Sequence, residues 1–198
     1  MKTYKTNSFE NRIIFLDKEE QENPLIIFEA FYQSDWLPGQ LKTLKKWRNA
    51  VTYENEKYRQ FIPSNLLYDC DLILRLLEAA WLLKGKKIGK LRIPEESSDD
   101  LVRWIMKRES KRLEHYPKSL SSNHIIKPHK VISKTFFKRD LDSYKRILKT
   151  WLSDALHPSF MEENLSKADV IGVYESLVGL IEAAWLINQR CQNKSNSD

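Results

Sequence analysis

Two glutamates and one basic run are the residues of this chain best suited to chemistry. Glu78 and Glu182 stand in the same phrase, Glu-Ala-Ala-Trp-Leu, at 78–82 and again at 182–186. Brought together across a twofold, two carboxylates could share a proton or hold a divalent cation. The alternative is structural. About 60° of helix arc separates each glutamate from its tryptophan, which puts the carboxylate at the rim of an apolar face, solvated or bonded to an indole N–H. A di-metal bundle also wants histidine three residues after such a glutamate, and Trp81 and Trp185 stand there instead. The sequence therefore implies no catalytic set, no metal and no cofactor. Glu78, Trp81, Leu82, Glu182, Trp185 and Leu186 read better as the seam between two like units.

The basic run lies between the two phrases. Residues 84–140 hold 16 lysines and arginines against 7 aspartates and glutamates, a balance of +9 in a chain whose total is +6. Lys86, Lys87 and Lys90 open it. Ser98-Asp99-Asp100 then forms an N-cap with first-turn acids, which suits the positive end of a helix dipole. The helix it predicts, about Asp99 to His115, carries Leu101, Trp104 and Ile105 on one side and Arg103, Lys107, Arg108, Lys111 and Arg112 around the rest. Such a cluster, with Trp104 and Tyr116 near it, can neutralise phosphates and stack on bases. The competing reading is a solvated helix that joins two units. No tight turn between short helices marks a helix-turn-helix.

The four histidines, His115, His124, His129 and His157, make no ligand box, and His157 precedes Pro158 at a predicted helix end, where a cation suits the dipole. Arg108 and His115, six residues apart, resemble the loose Arg-x(4–6)-His pattern of HEPN-type helical ribonucleases, which implies an RNA-cleaving reading. The residue after Arg108 is Glu109 rather than a polar amide, a departure from that pattern. Gly85 to Lys90 lacks the spacing and the Ser/Thr of a phosphate-binding loop. Cys70 and Cys191 have no metal-ligand spacing and read as free thiols.

The elements that must position these residues are helices. Of 198 residues 41% are hydrophobic and 30% charged, the balance of a folded chain, and only 5 glycines and 7 prolines are available for turns. Shifted by 104, the sequence meets itself: Pro24 falls on Pro128, Leu37 on Leu141, Leu44-Lys45 on Leu148-Lys149, Trp47 on Trp151, and the Glu-Ala-Ala-Trp-Leu phrases coincide. Each copy predicts three helices. The first follows a proline, with Asn23 as N-cap in copy one. The second runs from about Leu37 to Val51 and from Leu141 to Leu156. The third, the most apolar, runs from about Ser64 to Leu83 and from Ser166 to Ile187, the latter with Ser166 and Asp169 in a capping arrangement.

The expected fold is all-α, two copies of a three-helix unit produced by tandem duplication and joined by a basic helical linker. Its divisions are a polar amino-terminal segment at 1–23, repeats at 24–83 and 128–188, the linker at 84–127 with mobile flanks, and a disordered tail from 189, most clearly from Gln192. The third helices are apolar on more than one side. They call for cover from each other or from a second chain in a homodimer. Acidic residues at the amino terminus and no apolar core there argue against a secretory signal, and Asp69, Asp71, Arg75 and Glu78 interrupt the apolar run 66–83, so the expectation is a cytoplasmic protein with no membrane partner.

Phe136-Phe137, Leu148-Lys149-Thr150-Trp151-Leu152 and Leu180-Ile181-Glu182-Ala183-Ala184-Trp185 resemble small helical proteins of unknown function from bacteria of the Bacteroidetes group. The resemblance covers both repeats but not the linker, and implies a bacterial origin without an activity. The first expectation is thus a non-enzymatic helical binding protein with a protein partner or a second copy of itself. The second is a nucleic-acid-associated regulator that uses the basic linker.

Overall fold

A computed structural model describes residues 12–52, 62–94, 96–156 and 166–195. Among them the chain is all-α, with nine helices packed together and no strand: α1 Lys18–Glu22, α2 Leu25–Ser34, α3 Leu37–Thr52, α4 Pro63–Leu82, α5 Asp99–Arg112, α6 Ser122–Ile126, α7 His129–Lys138, α8 Leu141–Leu156 and α9 Lys167–Ser195. The starts of α1, α2, α3 and α4 each precede those of α6, α7, α8 and α9 by 104 residues.

Local chemistry sets most of the helix starts. Asp17 and Glu20 form a reciprocal capping box at α1, and Ser98, Ser121 and Ser166 accept from the backbone N–H three residues on at α5, α6 and α9. The expected side-chain cap from Asn23 does not form. Pro24 occupies the cap position of α2, and Asn23 contributes its carbonyl to Ile26 N. The turn from α2 into α3 is tied by Gln40, whose amide donates to the Phe31 carbonyl at 2.8 Å. The Tyr144 hydroxyl does the same for the Thr135 carbonyl between α7 and α8, at 3.4 Å. These positions, too, are 104 apart.

Packing exchanges partners between the two sets of helices. α3 lies on α9 and α8 lies on α4, while α2 packs on both α4 and α9 and α7 on both α9 and α4. One continuous apolar core results, drawn from both halves of the chain. At its middle α3 crosses α8, where the fully buried Trp47 and Trp151 rings meet edge to face with centroids 5.7 Å apart. Such a contact adds roughly 0.5–1.5 kcal/mol to what burial of the rings contributes. Two identical residues at a crossing cannot both be served equally. The Trp47 indole donates to the Trp151 carbonyl at 3.2 Å, whereas the buried Trp151 N–H has no partner among the described residues.

Two short helices, α1 and α6, were not foreseen, because five-residue helices have no periodicity to read. α9 has 29 residues against 20 for α4 and runs beyond the expected start of the tail at Gln192; residues 196–198 lie outside the described residues, as does the helix end expected at His157 and Pro158. By length and composition the stretch Lys167–Gln192 is apolar enough to cross a bilayer, and 61% of its most apolar window is buried in this fold.

The crossing predicts different effects for the same substitution at its two tryptophans. Trp47→Phe removes a made hydrogen bond and Trp151→Phe removes an unmade one, so Trp47→Phe should lower unfolding free energy by about 1 kcal/mol more in urea denaturation. Equal losses would show that the indole bond at the crossing contributes nothing.

Candidate functional site

Glu78 on α4 and Glu182 on α9 are enclosed, at 0% and 2% exposure, and neither is solvated or bonded to an indole. Each carboxylate instead receives two consecutive backbone amides from an irregular segment. Glu78 takes Ile14 N at 2.8 Å and Phe15 N at 2.7 Å. Glu182 takes Lys118 N at 2.8 Å and Ser119 N at 3.0 Å, and the Ser119 hydroxyl as well. The charge on Glu78 is matched by Lys145, which reaches from α8 to 2.6 Å and also donates to the Arg12 carbonyl. A buried carboxylate is tolerable on these terms, since its oxygens replace water with donors that would otherwise be unsatisfied themselves.

The other expected seam residues divide. Trp81 packs edge to face on Phe136 and Trp185 on Tyr32, each with centroids 5.0 Å apart. Leu82 is half-buried against the main core. Leu186 belongs to a separate apolar cluster with Leu113 and Ile125 and covers the connector.

That connector, whose flanks were expected to be mobile, makes several ties to α9 and α6. Gly89 has φ +62°, and a Cβ there would stand 2.6 Å from the Ile187 side chain, so only glycine lets the chain lie this close to α9. Leu91 N donates to the Ile126 carbonyl, and Trp185 Nε1 to the His115 carbonyl at 2.7 Å. The strongest tie is Arg190, on the part of α9 that extends past the length of α4. Its Nε and Nη2 engage both oxygens of Glu109 on α5 at 2.8 and 2.7 Å, and its Nη1 donates to the carbonyls of Gly89 and Ile125 at 2.7 and 2.8 Å. Both side chains are buried. The planar guanidinium suits this two-point grip, with both Nη1 donors directed to the chain around it. Tyr116 lies against the pair, and burial, followed by the Glu109 charge, pushes its phenol up to about 12.

With Glu109 turned inward as the only buried residue of α5, the cations point out. Arg103, Lys107, Arg108, Lys111 and Arg112 are all exposed, as are Lys86, Lys87 and Lys90 in the preceding loop. Trp104 is 55% exposed beside them, with the Arg108 guanidinium 5.4 Å above its ring. Of the five α5 cations only Arg103 has an ion pair among the described residues, a fully solvated one with Asp100. Arg108 is engaged with Trp104, while the His115 ring, past the end of α5, sits edge-on to Trp36 and against Trp185. No hydrogen bond joins Arg108 to His115 among the described residues.

Models of known protein families, curated proteins and solved structures offer no match to this chain.

Neither Arg190 nor Lys145 stood out in the sequence. Arg190 follows Leu186 by four residues on the same helix face, a continuation of the apolar stripe that signals a buried position. Lys145 likewise follows Leu141 by four residues on the buried face of α8, but the carboxylate it serves is on a distant helix.

Removal of one member of the buried pair leaves a charge without its partner. Arg190→Ala should cost about 3–5 kcal/mol in urea denaturation and speed amide hydrogen exchange in α5. Replacing both members with leucine should cost less than the single change; a larger loss in the double variant would contradict the account of this pair.

Proposed function

We propose that the chain is a non-enzymatic binding protein, a tandem duplication of one helical unit whose connector presents α5 to a nucleic acid. The duplication is supported by the 104-residue offset of four helix pairs, by Glu78 and Glu182 receiving amides at equivalent positions, and by the equivalent pairs Trp81–Phe136 and Trp185–Tyr32. The binding role is supported by one observation above others: five cations and Trp104 on α5 face solvent while Glu109 alone is turned in and clamped. The cations neutralise phosphates and the exposed indole offers a face on which a base stacks.

The side chains able to do acid–base work support binding over catalysis because they already have structural employment. Glu78 and Glu182 hold backbone amides, and Glu109 holds Arg190. A homodimer through the third helices has less to recommend it, since α4 is covered by α2, α7 and α8 and α9 by α2, α3, α6 and α7 within one chain.

Fluorescence anisotropy with a labelled single-stranded oligonucleotide tests this reading. The affinity should fall linearly with salt on logarithmic axes, and the triple change Lys107→Glu, Arg108→Glu, Lys111→Glu should flatten that slope. Trp104→Ala should cost about 1–3 kcal/mol of binding, the worth of one stacked base. All four residues are exposed, so circular dichroism should be unchanged. Absence of binding at low salt, or binding indifferent to both changes, would remove the proposal.

A further inference from the structure

A cavity of about 570 Å³ opens between α7, α9 and the segment before α6. Its size falls within the range of small-molecule sites. Whatever its origin, the 104-residue correspondence lets each lining residue be set beside its counterpart in the first half. Phe15, Phe31, Leu72 and Arg75 there become Ser119, Thr135, Ser176 and Gly179 here. In the first half Phe31 is buried in the core, Phe15 and Leu72 pack against it, and Arg75 is ion-paired with Glu20. At these four positions the second half carries the smaller side chain.

Gly179 is the most telling of the four. A mid-helix glycine costs roughly 1 kcal/mol relative to alanine. Nothing at its own Cβ demands it, because a methyl group there would meet only Val131 Cγ1 at an ordinary 3.6 Å. The glycine keeps the space beyond open.

Charge is gained at the same wall. Ala30 and Ser34 of the first half correspond to Lys134 and Lys138, one turn apart on α7 and both exposed at the cavity wall. Neither ammonium has an ion pair among the described residues. The hydroxyls around them are already committed: Ser119 to Glu182, Thr135 to the Val131 carbonyl and Ser176 to the Gly172 carbonyl. His124, which takes the place of Glu20, is held towards its neutral form by burial and then by Lys134 and Lys130. Glu175 is the one acid in the lining. The two ammonium groups are thus the cations left without an ion pair at the wall, and Leu120, Val131 and Val178 supply apolar wall beside them.

We propose that this cavity binds a small organic anion, its head between Lys134 and Lys138 and its apolar body against Leu120, Val131 and Val178. The head is a carboxylate or a phosphate, chemistry that two lysines serve alike. This site is separate from the α5 surface and does not rest on the nucleic-acid reading.

Titration calorimetry with decanoate and with decyl phosphate tests it, with inorganic phosphate as the control that has a head and no apolar body. One molecule of at least one amphiphile should bind per chain, and inorganic phosphate should not compete. Gly179→Leu should abolish that binding while thermal stability is kept or raised, since leucine is the better helix former. Lys134→Gln with Lys138→Gln should weaken it about tenfold or more, as loss of a charge-assisted hydrogen bond does. The proposal is overturned if neither amphiphile binds, if binding survives both changes, or if inorganic phosphate competes as well as the amphiphiles.

Discussion

The rest of the structure depends on the need of α4 and α9 for cover on several sides. Each carries alanine, leucine and isoleucine around most of its circumference, and residues from α2, α3, α7 and α8 close over them. Because α3 lies on α9 and α8 on α4, neither half of the chain completes its own core. The two long helices are served by exchange, and the helices that make the exchange cross at Trp47 and Trp151. Burial of a large side chain contributes on the order of 1.5–3 kcal/mol, so a core divided at this crossing would lose more than a marginal fold can spare.

Exchange leaves irregular segments crossing over buried helices, and those segments carry backbone amides with no helix to satisfy them. The repeated glutamates answer that constraint. Each is buried and meets two successive amides, at 14 and 15 or at 118 and 119. Arg190 is the same solution with the opposite sign, a buried cation that donates to two carbonyls and one carboxylate. The buried charges Glu78, Glu182 and Arg190 fasten the segments that cross over the long helices. Those on α5 and around Lys134 are the ones left free to meet something else.

Much of the architecture was legible, and for a definable reason. Apolar spacing located the second helices within a residue, at Leu37–Thr52 and Leu141–Leu156, because an amphipathic stripe of sixteen residues is a strong signal. The caps at Ser98 and Ser166 followed from side-chain chemistry alone. The role of Glu78 and Glu182 was not legible, because the amides they hold lie more than sixty residues away in segments with no pattern of their own. Nor was the cavity, although its signal was present: the register that aligned the tryptophans also set Arg75 against Gly179. A difference between positions 104 residues apart is as informative as an identity, once the fold shows which side of the helix it lies on.

Interdependence of the halves is the central claim, and equilibrium urea unfolding followed at once by far-ultraviolet circular dichroism and tryptophan fluorescence tests it most directly. Tryptophans stand in both halves, at 36, 47 and 81 and at 104, 151 and 185, so fluorescence reports on each. The shared core predicts a single transition with coincident midpoints, and Leu177→Ala, a cavity in α9, should move the whole curve by about 2–5 kcal/mol. Two separate transitions, or a change in α9 that shifts only one of them, would show that each half folds on a core of its own and would contradict the account.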